Sequence, residues 1–271
     1  MRRALDHLPE YAIEAALLGL FMVSACTFGV LLEHPASPVH RALPDPMVRR
    51  MLMGLAMGGT AVAIIYSPWG GRSGAHINPA TTLTFYRLGR IGAVDAVGYL
   101  CAQFVGALAG VAVSAAVLGP LLAHPAVNYV VTRPGPWGIG PALVGEIAIS
   151  ALLMGLVVAL TGSRHARFTG VLVGMLVALY ITFEAPVSGM SMNPARSFGS
   201  AWGAGHWEAF WLYVFGPLIG MQLGAAIAGW LGSVPSCPKL HHPLSQRCIF
   251  CGHEPAPAAT TAPPAAARSA R

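Results

Sequence analysis

Two copies of one eight-residue pattern, Ser-Gly-x-x-x-Asn-Pro-Ala, carry the polar groups with the clearest chemical use. The copies occupy residues 73–80 and 188–195. Proline is favoured in the first turn of a helix, and Asn directly before it is a preferred N-cap. Each motif therefore predicts a short helix whose positive dipole end presents amide donors. The six motif residues are Asn78, Pro79, Ala80, Asn193, Pro194 and Ala195.

Four ionisable side chains lie in or beside these motifs or in apolar stretches. Arg196 directly follows the second motif, and a charge within an apolar sequence is a functional candidate. Glu14 and Glu146 each lie in an apolar stretch, one in each half of the chain. A proton relay is one interpretation, but the symmetric placement favours carboxylates that accept hydrogen bonds from a motif loop. His76 lies inside the first motif. A pH gate is one interpretation, but a histidine that packs within the loop and lines the pore is favoured.

A second group of reactive side chains lies near the C-terminus, where Cys-x-x-x-His precedes Cys-x-x-Cys. The four candidate metal ligands are Cys237, His241, Cys248 and Cys251. Sulfur and imidazole donors suit tetrahedral zinc, although the spacing matches no standard zinc finger. Redox-active thiols and the absence of a specific role are the alternatives.

The elements that position these residues must suit lipid. The chain is 55% hydrophobic and only 10% charged, with a mean hydropathy of +0.62. A soluble domain carries about 25% charged residues, so this composition excludes a soluble enzyme. The sequence also contains no catalytic constellation that would suggest an enzyme in a membrane. The net charge of +6 comes from scattered basic residues, which argues against a nucleic-acid partner. Six apolar stretches predict membrane spans: 11–32, 51–67, 94–119, 141–162, 169–186 and 210–231.

The two halves of the chain repeat each other. Gly106 and Gly110 correspond to Gly220 and Gly224, and both pairs have the spacing that permits close helix crossings. With three spans in each half, the second copy enters the membrane from the opposite side. The sequence therefore predicts an all-α membrane protein with six transmembrane helices. Two re-entrant half-helices, at about 79–88 and 194–202, complete an inverted repeat.

The paired motifs and the Arg196 that follows them resemble those of the major intrinsic proteins, the aquaporins and aquaglyceroporins. The resemblance covers residues 10–232. It implies a homotetramer in membrane lipid, with one pore in each subunit and passive transport without a cofactor. It also implies that Arg196 belongs to the outer selectivity filter.

Counting from the motifs without gaps, the resemblance places the other three filter positions at Gly58, Ile181 and Met190. A filter with these residues should be wider and less polar than a strict water filter. The expected function is a passive channel for water, with small uncharged solutes and without ions or protons. A glycerol, urea or metalloid-acid facilitator is the alternative within the family, and a secondary transporter is the alternative outside it.

Composition also divides the chain. A channel domain is expected at 1–232, with repeat halves at about 10–119 and 140–232. A Cys/His-containing cytoplasmic tail follows at 233–254, and an Ala/Pro-rich disordered tail at 255–271. Basic residues near the span ends favour cytoplasmic termini, and a bacterial inner membrane is the expected location.

Overall fold

The computed structural model describes residues 5–255. In that part of the chain, six helices are long and apolar enough to cross a membrane, as the sequence predicts. Together with two shorter helices they are α1 (Leu8–Glu33), α2 (Pro46–Tyr66), α3 (Pro79–Arg87), α4 (Ala93–Leu118), α5 (Ile139–Thr161), α6 (Thr169–Leu179, within a longer span, Ala166–Ser188), α7 (Pro194–Ala204) and α8 (Leu212–Trp230). Six crossings return the chain to its starting side, which we call the terminal side.

The half-helices α3 and α7 begin at the motif prolines. The Oδ1 atom of Asn78 accepts a hydrogen bond from the Ala80 amide at 2.9 Å. The Oδ1 atom of Asn193 accepts from the amides of Ala195 and Arg196 at 3.1 and 3.2 Å. With 9 and 11 residues, these helices are too short to cross a bilayer, so each starts from a buried N-terminus and crosses only part of it.

Close helix crossings hold each half together. Gly106 and Gly110 of α4 lie against the backbone of α1, and Gly220 and Gly224 of α8 lie against the backbone of α5. A Cβ atom at any of these positions would overlap a facing carbonyl group. Van der Waals contact between closely spaced backbones is the main attraction between helices in lipid, and the predicted crossings are confirmed.

Helix α6 continues past Leu179 through a π-helical turn, Tyr180–Glu184, and a last α-turn, Ala185–Ser188. A π-turn adds one residue to the helix and so rotates the side chains that follow. Ile181 lies in this turn and contributes to the central cavity.

The tail, residues 233–254, folds back across the terminal side. Cys237, Leu240 and Cys248 are buried. Lys239 is only 2% exposed, and its ammonium group donates a hydrogen bond to the Gly71 carbonyl at 2.9 Å. The polar composition of this segment gave no indication of such packing. Residue 255 is the last that the structure describes. The rest of the predicted disordered segment 255–271 lies outside the described residues.

Candidate pore

A cavity of about 440 Å³ runs between the two halves of the chain. Two motif loops line it: the first pore loop, residues 74–78, and the second pore loop, residues 189–193. Its wall extends from Arg50 at the start of α2 to Leu240 of the tail. Helices α1, α2, α5 and α6 supply mostly apolar side chains to the rest of the wall. Most of the polar groups that line the cavity lie on the loops.

Asn78 and Asn193 link the two loops at the centre of the cavity. The Nδ2 atom of Asn78 donates to the Met192 carbonyl at 2.7 Å. The Nδ2 atom of Asn193 donates to the Ile77 carbonyl at 2.7 Å. Each amide oxygen accepts hydrogen bonds from the first turn of its own half-helix, so the orientation of both side-chain amides is fixed. An amide group has two N–H donors, so each Asn keeps a second donor for a molecule in the cavity.

A buried glutamate supports each pore loop. Glu14 accepts hydrogen bonds from the backbone amides of His76 at 3.0 Å and Ile77 at 2.6 Å. Glu146 accepts from the amides of Ser191 at 2.6 Å and Met192 at 2.8 Å. Both side chains are fully buried. Each carboxylate therefore bonds two amides of its pore loop, as the bracing interpretation requires.

The same contacts orient the loop carbonyls. In a trans peptide the N–H and the preceding C=O point in opposite directions. Because four loop amides point toward the glutamates, the preceding carbonyls point away from them, toward the cavity. These carbonyls belong to Ala75, His76, Met190 and Ser191, all of which line the cavity. The loops therefore offer a row of acceptors opposite the apolar wall.

This arrangement requires unusual backbone conformations. Ala75, Ile77, Met190 and Met192 have φ values of 53°, 39°, 52° and 54°. Left-handed backbone at a residue other than glycine costs on the order of 1–3 kcal/mol. The hydrogen bonds to the two glutamates offset this strain, so the loops depend on their carboxylate partners.

Two tyrosines hold the residues that precede the pore loops. The hydroxyl of Tyr99 donates to the Ser73 carbonyl, and the hydroxyl of Tyr213 donates to the Ser188 carbonyl, both at 2.6 Å. This role was not predicted for either residue. The signal was their offset of 114, which the paired glycines of α4 and α8 share.

Arg196 offers the cavity an unused donor. Its Nη1 atom is buried and has no hydrogen-bond partner among the described residues. The side chain lines the cavity near the start of α7. A buried donor without a partner is costly, so this atom is positioned to bond whatever passes it.

The lining of the cavity differs from the expected filter at one position. Ile181 and Met190 line the cavity. Gly58 does not face it, because this residue packs against Gly174 of α6, where a Cβ atom would overlap the backbone. Its neighbour Met57 lines the cavity and is 2% exposed. The gapless count from the motif therefore arrives at a residue that packs between helices and does not line the cavity.

His76 lines the terminal end of the cavity. Its Nδ1 atom lies 3.0 Å from the Thr82 hydroxyl, and its Nε2 atom lies 2.6 Å from the Pro238 carbonyl. Its ring stacks on that of Phe85 at 5.2 Å and on that of Phe250 at 6.2 Å. The histidine is therefore packed between the pore loop and the tail.

The tail brings three of the four predicted ligands together. The ligand atoms of Cys237, His242, Cys248 and Cys251 lie within 4.8 Å of one another. His241 is not in this group, because its ring packs against Tyr66 with centroids 5.0 Å apart. His242 therefore takes the position that was predicted for His241.

The two buried sulfurs of this group interact directly. The Sγ atoms of Cys237 and Cys248 lie 3.6 Å apart, and either can donate to the other. This hydrogen bond, with the amides of Cys251 and Phe250, lowers the pKa of the Cys248 thiol, while the same bond raises that of Cys237. The pair therefore favours a thiolate at Cys248 beside a protonated Cys237.

Comparisons with known proteins agree with this geometry. The sequence model of the Major intrinsic protein family matches residues 11–228. The lens fiber major intrinsic protein of Gallus gallus is 36% identical over 76% of this chain and 78% of its own length. A probable aquaporin of Archaeoglobus fulgidus, AqpM, is 36% identical over 66% of this chain and 74% of its own.

The fold also matches a solved structure, the X-ray structure of the aquaglyceroporin from Plasmodium falciparum. The TM-score is 0.65 at 18% identity, with 82% of this chain and 95% of the other covered. The paired motifs, the two half-helices and the continuous cavity lead to the same assignment as the sequence matches. The chain belongs to the major intrinsic protein family and forms a passive membrane channel for water and small solutes.

Proposed function

We propose that the pore conducts water together with small uncharged polyols such as glycerol. The observation that carries this proposal is the mixed lining of the cavity to which Arg196 contributes. Met57, Ile181 and Met190 supply apolar contacts, while the guanidinium Nη1 and the loop carbonyls supply hydrogen bonds. A polyol has hydroxyl groups and an apolar carbon chain, so this filter matches both of its surfaces.

The pore centre supports exclusion of ions and protons. The N-terminal ends of α3 and α7 meet at Asn78 and Asn193, and each end carries about half a positive charge. This positive field repels cations that enter the centre. Neutral molecules exchange hydrogen bonds with the two amides, and no covalent step is needed.

Stopped-flow light scattering on proteoliposomes tests the permeant. Wild-type vesicles should shrink quickly under an impermeant osmolyte and swell quickly in a glycerol gradient. Replacing Ile181→His should lower glycerol permeability about tenfold, since one changed wall contact gives discrimination of this size. Water flux should persist, because the added ring offers another polar partner to water.

Ile181→Val is the matched control, since it keeps the apolar wall and should keep glycerol flux. Glycerol permeability equal to that of protein-free vesicles would contradict the polyol part of the proposal. The protein would then be a water channel whose apolar filter still rejects larger solutes.

We also propose that the protein is a homotetramer of a bacterial cytoplasmic membrane, with its terminal side in the cytoplasm. Basic residues near the span ends support this orientation. Light scattering in detergent should give four chains per particle. A Ser163→Cys variant, in the exposed loop between α5 and α6, should react with an impermeant maleimide only after cell lysis. Added labelling in intact cells would reverse the orientation.

A further inference from the structure

The tail makes specific contacts with the terminal end of the pore. Pro238 accepts a hydrogen bond at its carbonyl from His76 Nε2 at 2.6 Å. The amide of Leu240 donates to the Gly74 carbonyl at 3.1 Å. The side chain of Leu240 is 7% exposed and forms part of the cavity wall. Residues 238–240 therefore lie at the terminal mouth of the pore.

Lys239 strengthens this placement. Its ammonium group bonds the Gly71 carbonyl, in the last turns of the short helix Pro68–Ser73. A cation at the C-terminal end of a helix is favourable because the free carbonyls carry negative partial charge. Burial of a lysine is costly without such a partner, so this bond contributes to holding the segment in place.

The four clustered ligands enclose this segment. Cys237 precedes residues 238–240 and His242 closely follows them, while Cys248 and Cys251 approach from the next turn. Three sulfurs and one imidazole form a set typical of structural zinc sites. Two sulfurs on one tetrahedral zinc at about 2.3 Å each lie about 3.8 Å apart. The observed separation of Cys237 and Cys248, 3.6 Å, is close to this value.

The turn that carries the last two ligands also has a suitable form. The amide of Gly252 donates to the Cys248 carbonyl at 3.1 Å, and Gly252 has a φ of 72°, which glycine adopts without strain. The amide of Cys248 donates to the His253 carbonyl at 2.9 Å. This closed turn directs both sulfurs toward Cys237 and His242.

We propose that Cys237, His242, Cys248 and Cys251 bind one zinc ion, which holds residues 238–240 over the terminal mouth and closes the pore. Without the metal, the hydrogen bonds of Pro238, Lys239 and Leu240 remain at the mouth, and on this proposal these alone let the tail leave it. Loss of zinc therefore opens the channel. The closing role rests on the channel function, whereas the metal site does not.

Metal content is measured first, on the full chain prepared without a polyhistidine tag. Elemental analysis should find about one zinc per chain. Cys248→Ser and Cys251→Ser should lose it, and the matched control His241→Ala should retain it. Protein without zinc, a Cys237–Cys248 disulfide, or equal zinc in all variants would overturn the site.

Water permeability is measured next in proteoliposomes. Cys251→Ser alters an exposed ligand, so it should lose zinc with little effect on the channel body and raise permeability severalfold. Leu240→Ala should keep zinc and also raise permeability, because it removes the side chain at the mouth while keeping all four ligands. Cys101→Ser, at an exposed position in α4, should change neither quantity.

These two measurements distinguish failure of the closing role from failure of the channel function. Zinc lost in Cys251→Ser without a gain in permeability would overturn the closing role and leave a purely structural metal site. A Leu240→Ala variant that binds zinc but conducts no more than the wild type would do the same. Absence of conduction in every variant, with zinc bound as expected, would instead count against the channel function.

Discussion

Glu14 and Glu146 are the residues on which both pore loops depend. Each carboxylate accepts a hydrogen bond from two consecutive loop amides, one at each oxygen. A neutral side chain with only one acceptor oxygen cannot replace both bonds. A glutamine at either position keeps one acceptor and places an NH₂ group against an amide donor. The consequence is one unsatisfied donor and one repulsive contact beside a strained loop.

Glu146→Gln should therefore destabilise the protein and reduce water permeability. The expected loss is about 3 kcal/mol, which combines a charge-assisted hydrogen bond with an unpaired buried donor. Thermal unfolding in detergent and stopped-flow measurements check both effects. Glu208→Gln, the same change in an exposed loop, is the control. A stable variant with normal water flux but altered proton flux would support the relay interpretation instead.

At the scale of helices, the contact between α2 and α6 decides which side of α2 faces the pore. Gly58 lies against Gly174, and Gly54 of the same helix lies against Ala178. One turn of small residues thus faces the neighbouring helix, and Met53 and Met57 are left to line the cavity. The packing of two backbones sets the register of the filter.

Gly58→Ala should lower stability by about 1–3 kcal/mol, because its Cβ atom would press on the α6 backbone and force the helices apart. Gly59→Ala is an unusually close control, since a Cβ atom there meets no atom of residues 5–255 within 4 Å. Thermal unfolding of the two variants gives the comparison. Equal stability, with glycerol flux altered only in Gly58→Ala, would return Gly58 to the filter.

The predictable elements are those that the internal repeat specifies. The half-helices follow from the Asn-Pro pairs, and the close crossings follow from glycines at matched offsets. Gly58 does not line the cavity, because nothing in the sequence marks which side of α2 packs against α6. The docking of the tail was not predictable either: Lys239 and Leu240 have no repeat partner, and their burial depends on the loop shape near Gly71.

At the scale of the whole molecule, the inverted repeat places two like helix ends against each other. Each end contributes about half a positive charge, so the centre carries about one charge in all. No ionised side chain is needed for this field, and the two asparagines add neutral donors to it. Exclusion of cations is thus a property of the paired halves and belongs to neither half alone.

Asn193→Asp should test this field directly. One carboxylate cancels about one positive charge, so the barrier to cations should fall and a small cation current should appear. Asn78→Asp should behave in the same way because the two positions are related by the repeat. The double variant should be more permeable to cations than either single variant, since its centre carries net negative charge.

Ion flux into proteoliposomes, measured with potassium- and proton-sensitive dyes, gives the comparison. Asn128→Asp is the matched control, because it makes the same chemical change in the connection between the halves, outside the cavity wall. Thermal unfolding confirms that each variant keeps its fold. If folded single and double variants all exclude cations as the wild type does, the opposed helix ends are not the barrier, and the constriction at Arg196 must supply it.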